Sequence, residues 1–154
     1  MISYKDTIND YESPYKDEKG NPLTFKSLPA LKGTDFVKYL LAALVIKDKP
    51  ITNFSNISKI IYDFKEENKQ KYPEMLSDIN FRVGINDYCS KKIDDGLLAA
   101  QTLGYMGKVN PTYNNIVIYF SKQEAENIFQ SLDFDDDTKT KIKNGMKSLA
   151  DKFN

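Results

Sequence analysis

Ile93-Asp94-Asp95-Gly96-Leu97-Leu98-Ala99-Ala100-Gln101-Thr102-Leu103-Gly104-Tyr105-Met106 is the stretch whose reading decides the fold. Cys89, Ile93, Leu97, Ala100 and Leu103 recur at intervals of three and four, which aligns them along one side of a helix. The spacing predicts a helix that begins near Ile85 or Ser90 and ends at Leu103. Gly104 follows it, and a glycine just past a helix closes it cheaply because it accepts a left-handed backbone. Residues 105–109 and 116–120 then read as two strands, the second rich in β-branched and aromatic side chains. The connector Asn110-Pro111-Thr112-Tyr113-Asn114-Asn115 is a turn-rich tip. Ser121-Lys122-Gln123-Glu124 places Ser and Glu three apart, the pattern of a reciprocal N-terminal cap, and starts a helix to about Leu132.

Upstream, Thr34 or Asp35 is placed to cap a helix through Ile46, with Phe36, Leu40, Ala43 and Leu44 on one face. Lys49-Pro50 stops it. A second helix is predicted over 55–71 with Ile57, Ile60, Ile61 and Phe64 as its apolar stripe, and Pro73 ends or restarts it. Residues 74–84, with Met75, Leu76, Ile79, Phe81 and Val83, suit either a short helix or a short strand. Residues 1–33 are polar. Lys19-Gly20-Asn21-Pro22 is a turn signal there, and its flanks 11–16 and 23–26 form a hairpin or an arm. Downstream, Asp135, Asp136 or Asp137 caps a last helix whose stripe is Ile142, Met146, Leu149 and Phe153. The expected class is mainly α with a small antiparallel β element (α+β). Residues 1–33 form an N-terminal extension and residues 34–154 the helical domain.

The composition narrows the chemistry. With 154 residues, 40% hydrophobic and 29% charged, the chain is long enough to bury one core without disulfides or metals. It has no histidine, and Cys89 is its single cysteine. The commonest general base and metal ligand are therefore missing, as is any multi-cysteine zinc site. Nothing in the sequence activates Cys89 as a nucleophile, and its expected role is that of a buried structural thiol. The seven glycines are scattered and form no phosphate-binding loop. Asp133-Phe134-Asp135-Asp136-Asp137 begins like a calcium loop. Thr138, however, stands where that loop needs glycine, and Asn144 where it needs glutamate. The acids read instead as a helix cap. No cofactor, no metal and no catalysis are expected. The N-terminus has no apolar signal core and no run is long enough to span a bilayer, so the cytoplasm is the expected compartment.

The order helix, Leu-Gly-hydrophobic step, strand, turn, strand and capped helix between Ile93 and Ile128 resembles the second half of a winged-helix domain. The resemblance implies a recognition helix from about Ser90 to Leu103, with Ser90, Lys91, Asp94, Asp95, Leu98 and Gln101 facing outward, and a wing tip over 108–115. It implies phosphate contacts from Lys91, Lys92 and Lys108 and a base-edge contact from Gln101 or Asn114. If the partner is a protein, Tyr113 is the expected aromatic anchor. A fainter likeness joins Lys49-Pro50-Ile51-Thr52-Asn53 and Ile57-Ser58-Lys59-Ile60-Ile61-Tyr62, which are similar to the opening helices of the Panacea antitoxin domain. That family's later Tyr-Gly-Pro step is absent.

Electrostatics hold two functions in balance. The 22 Lys and Arg match the 22 Asp and Glu, and Arg82 is the one arginine. Within 78–120, Arg82, Lys91, Lys92 and Lys108 face Asp78, Asp87, Asp94 and Asp95, whereas a DNA-binding face usually carries a basic footprint. One expectation is a DNA-binding regulator. The other is a protein-binding inhibitor or antitoxin-like factor, for example of phage or mobile-element origin, on the same scaffold. The apolar stripe of the last helix predicts a homodimer in which that helix pairs with its twin.

Overall fold

The computed structural model describes residues 12–16, 22–24, 31–68, 70–85, 87–109 and 114–154. The chain divides into two compact units, residues 1–30 and 31–154. In the first, β1 (Glu12–Lys16) pairs antiparallel with β2 (Pro22–Thr24) across a register irregularity.

The second unit is organised around α1 (Phe36–Ile46), entered through a 3-10 turn at Gly33–Asp35. The run Phe-Val-Lys-Tyr-Leu-Leu-Ala-Ala-Leu-Val-Ile is apolar nearly all round, and a helix of that kind belongs inside a protein. Nine of its residues are buried, well beyond the single face read from Phe36, Leu40, Ala43 and Leu44. Asp35 precedes it with helical backbone and makes no capping bond. Past its end, Asp48 takes a positive φ of 62°. Lys49 Nζ then donates to the carbonyls of Ala150 at 3.1 Å and Phe153 at 2.7 Å, tying this turn to the C-terminal end.

A strand the sequence reading did not foresee follows, β3 (Ile51–Asn53). It is short, and its one buried side chain, Thr52, gives no apolar alternation to detect. Next come α2 (Ile57–Asn68), which buries Ile57, Ile61 and Phe64, and α3 (Pro73–Leu76), which buries Met75 and Leu76. The ambiguous stretch 74–84 thus holds both a helical turn and the start of a strand. β4 (Arg82–Gly84) and β5 (Asp87–Cys89) form an antiparallel hairpin. Because Asp87 to Cys89 are extended, α4 (Lys91–Thr102) starts at Lys91.

α4 buries Ile93, Gly96 and Ala100 and packs against α1. Gly96 sets the approach: a Cβ there would lie 2.9 Å from Val37 Cγ2 and 3.1 Å from the Thr34 carbonyl. Gly104 closes the helix at φ 79°, the left-handed conformation that its position predicts.

β6 (Met106–Val109) and β7 (Asn115–Ile118) pair antiparallel, and β3 adds to the other side of β7, giving the sheet order β3-β7-β6. α5 (Lys122–Gln130) carries both bonds of the capping box: Glu124 N–H donates to Ser121 Oγ, and Ser121 N–H to Glu124 Oε1. α6 (Asp136–Ala150) is capped by Asp135, whose carboxylate accepts from Thr138 N–H at 2.7 Å. Hydrogen bonding from the Thr138 side chain, and then from its backbone N–H, holds the Asp135 carboxyl below its ordinary range.

α5 and α6 both pack on α1. Ile142, Met146, Leu149 and Phe153 are buried within the chain. The stripe expected to meet a twin is covered by the chain's own α1 and its neighbours, so the premise of a dimer through the last helix is withdrawn. Three of the four lysines of α6 are likewise engaged: Lys139 with the Gln130 carbonyl, Lys141 with Glu74 and Lys143 with Glu126. No helix among the described residues is long and apolar enough to cross a membrane.

Candidate partner-binding interface

With Ile93, Gly96 and Ala100 turned to α1, the opposite side of α4 carries Lys91, Asp94, Leu98 and Gln101 at intervals of three and four. All four are exposed, as the sequence reading placed them. Asp95 is half-buried and forms an i,i+4 pair with Lys91 at 2.6 Å. That hydrogen bond raises the Lys91 pKa above its ordinary value and neutralises its charge locally. Asp94 makes no ion pair among the described residues, and Leu98 is 65% exposed.

Three residues of this helix region depart from expectation. Ser90 does not face outward. It is 1% exposed, and its Oγ has no hydrogen-bond partner among the described residues, because the extended chain entering α4 turns it inward. Lys92 is half-exposed and ion-paired. It lies 3.2 Å from the Asp78 carboxylate, whose Oδ2 also accepts Gly33 N–H at 2.6 Å, so it fastens the Asp78 loop to the entry of α1. Leu103, read as part of the buried face, is 64% exposed. It sits past the last turn covered by α1, on the rim of a cleft of about 90 Å³ with Lys38 and Tyr105.

The sheet brings Lys108 and Asn114 to the same side as the flank of α4. Both border a groove of about 120 Å³ with Phe54, Ile57, Leu97, Met106 and Ile116. Lys108 is exposed with no hydrogen bond or ion pair among the described residues. The Asn114 carbonyl accepts Phe54 N–H at 2.8 Å, which anchors this end of the loop to β3. Tyr113 and the rest of the tip, 110–113, lie outside the described residues. Of the other aromatic residues near the strands, Tyr105 packs on Phe120 at 5.1 Å, while Tyr119 is 61% exposed with its hydroxyl over Gly107.

The sequence reading missed the β4–β5 hairpin as a surface feature. Arg82 lines a groove of about 560 Å³ with Asn80, Phe81, Cys89, Lys91 and Asp94, beside the start of α4. It makes no ion pair or hydrogen bond among the described residues. Val83 is 48% and Ile85 94% exposed. Gly84 and the following Asn-Asp were the available turn signal.

Cys89 lies on β5 and is half-exposed, not buried on a helix face, because the helix starts after it. Its thiol donates to Asp87 Oδ1 at 3.4 Å. That bond, with some desolvation, raises its pKa and so disfavours the thiolate. Among the described residues no group of His, Cys, Asp or Glu is placed to hold a metal ion.

No family model, no curated protein and no solved structure matches this chain.

Proposed function

We propose that residues 31–154 form a non-catalytic binding module on a winged-helix-like plan, and that the outward side of α4 meets a protein. The plan is supported by the order α1-β3-α2-α4-β6-β7 and by the sheet order β3-β7-β6, in which the strand after the first helix joins the wing pair. The hairpin and α3 stand as an insertion between the second and third helices of that plan. Fold alone does not choose the partner.

The observation that carries the choice is the state of the charges on α4. Lys91 is spent on Asp95 and Lys92 on Asp78, while Leu98 stands exposed beside the unpaired Asp94. A nucleic-acid backbone draws its affinity from cations and is repelled by Asp94. A protein surface offering an apolar side chain to Leu98 and a cation to Asp94 satisfies both.

The test uses the tagged chain in lysate of its native cell, followed by the same chain with Leu98→Lys or with Asp94→Asn and Asp95→Asn. A specific protein complex should disappear with Leu98→Lys and weaken when both acids are removed. A complex that tightens on losing both acids contradicts the reading.

The cations Arg82 and Lys108, unpaired among the described residues, favour one other reading, a DNA-binding regulator. In that case removal of both acids strengthens DNA binding by freeing Lys91. Lys108→Ala then reduces the salt dependence of log K by roughly 0.9, while Gln101→Ala relaxes sequence preference. DNA binding that is absent even at low salt eliminates this second reading.

A further inference from the structure

We infer that the outer edge of β4 pairs antiparallel with the same edge of a second copy of this chain. The pairs Arg82–Cys89, Val83–Tyr88 and Gly84–Asp87 define the hairpin, with two positions between Gly84 and Asp87. In a hairpin closed that tightly the bonded and non-bonded pairs alternate, starting from a bonded pair at the loop. Val83 therefore belongs to the non-bonded pair, and its N–H and C=O point away from β5. All of β4 is exposed, and among the described residues it has no strand on its other side. An edge of this kind is a ready template for another strand. A two-fold axis at Val83 lets the two copies exchange both backbone bonds.

The side chains on both faces suit a second copy specifically. On one face, Arg82 falls opposite Gly84 of the other copy, and Asp87 of that copy stands one strand further on. Gly84 offers no obstruction: a Cβ there would have only Asp87 Cβ within 4 Å, at 3.7 Å. Adjacent strands lie about 4.8 Å apart, so an arginine crossing one glycine reaches the next strand's carboxylate. The two-fold repeats the contact, giving Arg82, which makes no hydrogen bond or ion pair among the described residues, a carboxylate in each direction.

On the other face the row runs Tyr88, Val83, Val83, Tyr88. Ile85, 94% exposed in the single chain, comes to lie opposite Phe81 of the other copy, which is packed edge-on against Tyr62 at 5.4 Å. The contact is small, and small contacts belong to weak associations, so dimerisation is expected at tens of micromolar, roughly, or above.

The pairing uses β4 and leaves the outward side of α4 uninvolved, so Leu98→Lys should not change it. The full chain is examined by sedimentation equilibrium up to about 1 mM, well above the weak range expected for so small a contact. Arg82→Asp should weaken the dimer about tenfold, since two opposite-charge contacts are lost together. Asp87→Arg should do the same, and the two changes combined should restore association by exchanging the charges. Amide exchange of Val83 should slow with rising protein concentration, independently of either charge. A mass that stays monomeric throughout overturns the inference. So does a dimer that ignores all three variants, or protection of Val83 that needs an added partner of different sequence.

Discussion

α1 and α4 are helices of nearly equal length, eleven and twelve residues, with opposite relations to the rest of the protein. α1 carries one charged residue, Lys38, and is enclosed by α4, α5 and α6. α4 carries Lys91, Lys92, Asp94 and Asp95 and touches α1 along one line, through Ile93, Gly96 and Ala100. The difference teaches that the central helix of this unit is the first one, not the one resembling a recognition helix. α4 is a surface element held by a close glycine contact, with half of its residues exposed.

The comparison breaks most visibly through the core. Leu40 is fully buried in α1, and Leu40→Ala should cost about 3 kcal/mol, read as a lower urea midpoint at unchanged slope. Leu98→Ala on α4 should change stability by less than about 0.5 kcal/mol while abolishing partner capture. Equal destabilisation by the two would show that the outward side of α4 is packed after all.

A smaller effect tests the seam between the helices. Gly96→Ala should gain helix propensity yet lose about 1 kcal/mol or more net, because the new methyl meets Val37 and the backbone of Thr34. Thermal unfolding measures it, and a stabilised Gly96→Ala would mean that the seam is looser than its 2.9 Å approach implies.

The smallest effect concerns the cover over α1. Asp135 caps α6 with its carboxyl held below the ordinary value of 3.8, chiefly by the Thr138 side-chain hydrogen bond and next by the Thr138 N–H. A depressed acid contributes stability at neutral pH that is lost as pH falls from 3.8 through its lower folded value. Asp135→Asn should flatten that part of the acid-unfolding curve, while leaving any α4-dependent binding at neutral pH unaltered.

Much of this was legible locally. Gly104 announced its positive φ, Ser121 and Glu124 their reciprocal cap, and the run Asp135 to Asp137 a cap for the last helix, because each depends on residues within one helical turn. Of the candidate interface, Lys91, Asp94, Leu98 and Gln101, which the winged-helix resemblance turned outward, are exposed. Ser90 and Lys92 are not free on that side. One is turned inward by an extended approach that begins with β5, and the other is captured by Asp78, fourteen positions away.

What the sequence by itself determined, then, is where helices start and stop and which residues share a helical side. Those choices follow from bonds and dihedral preferences a few residues in range. Tertiary structure alone decided that β3 joins β7 across more than sixty positions of chain and that the stripe on α6 is closed within its own chain. It also decided that Lys92 of α4 is held by the Asp78 carboxylate. An apolar stripe or a charge carries no label for its partner: burial and ion pairing are satisfied by whatever the folded chain brings within a few ångströms.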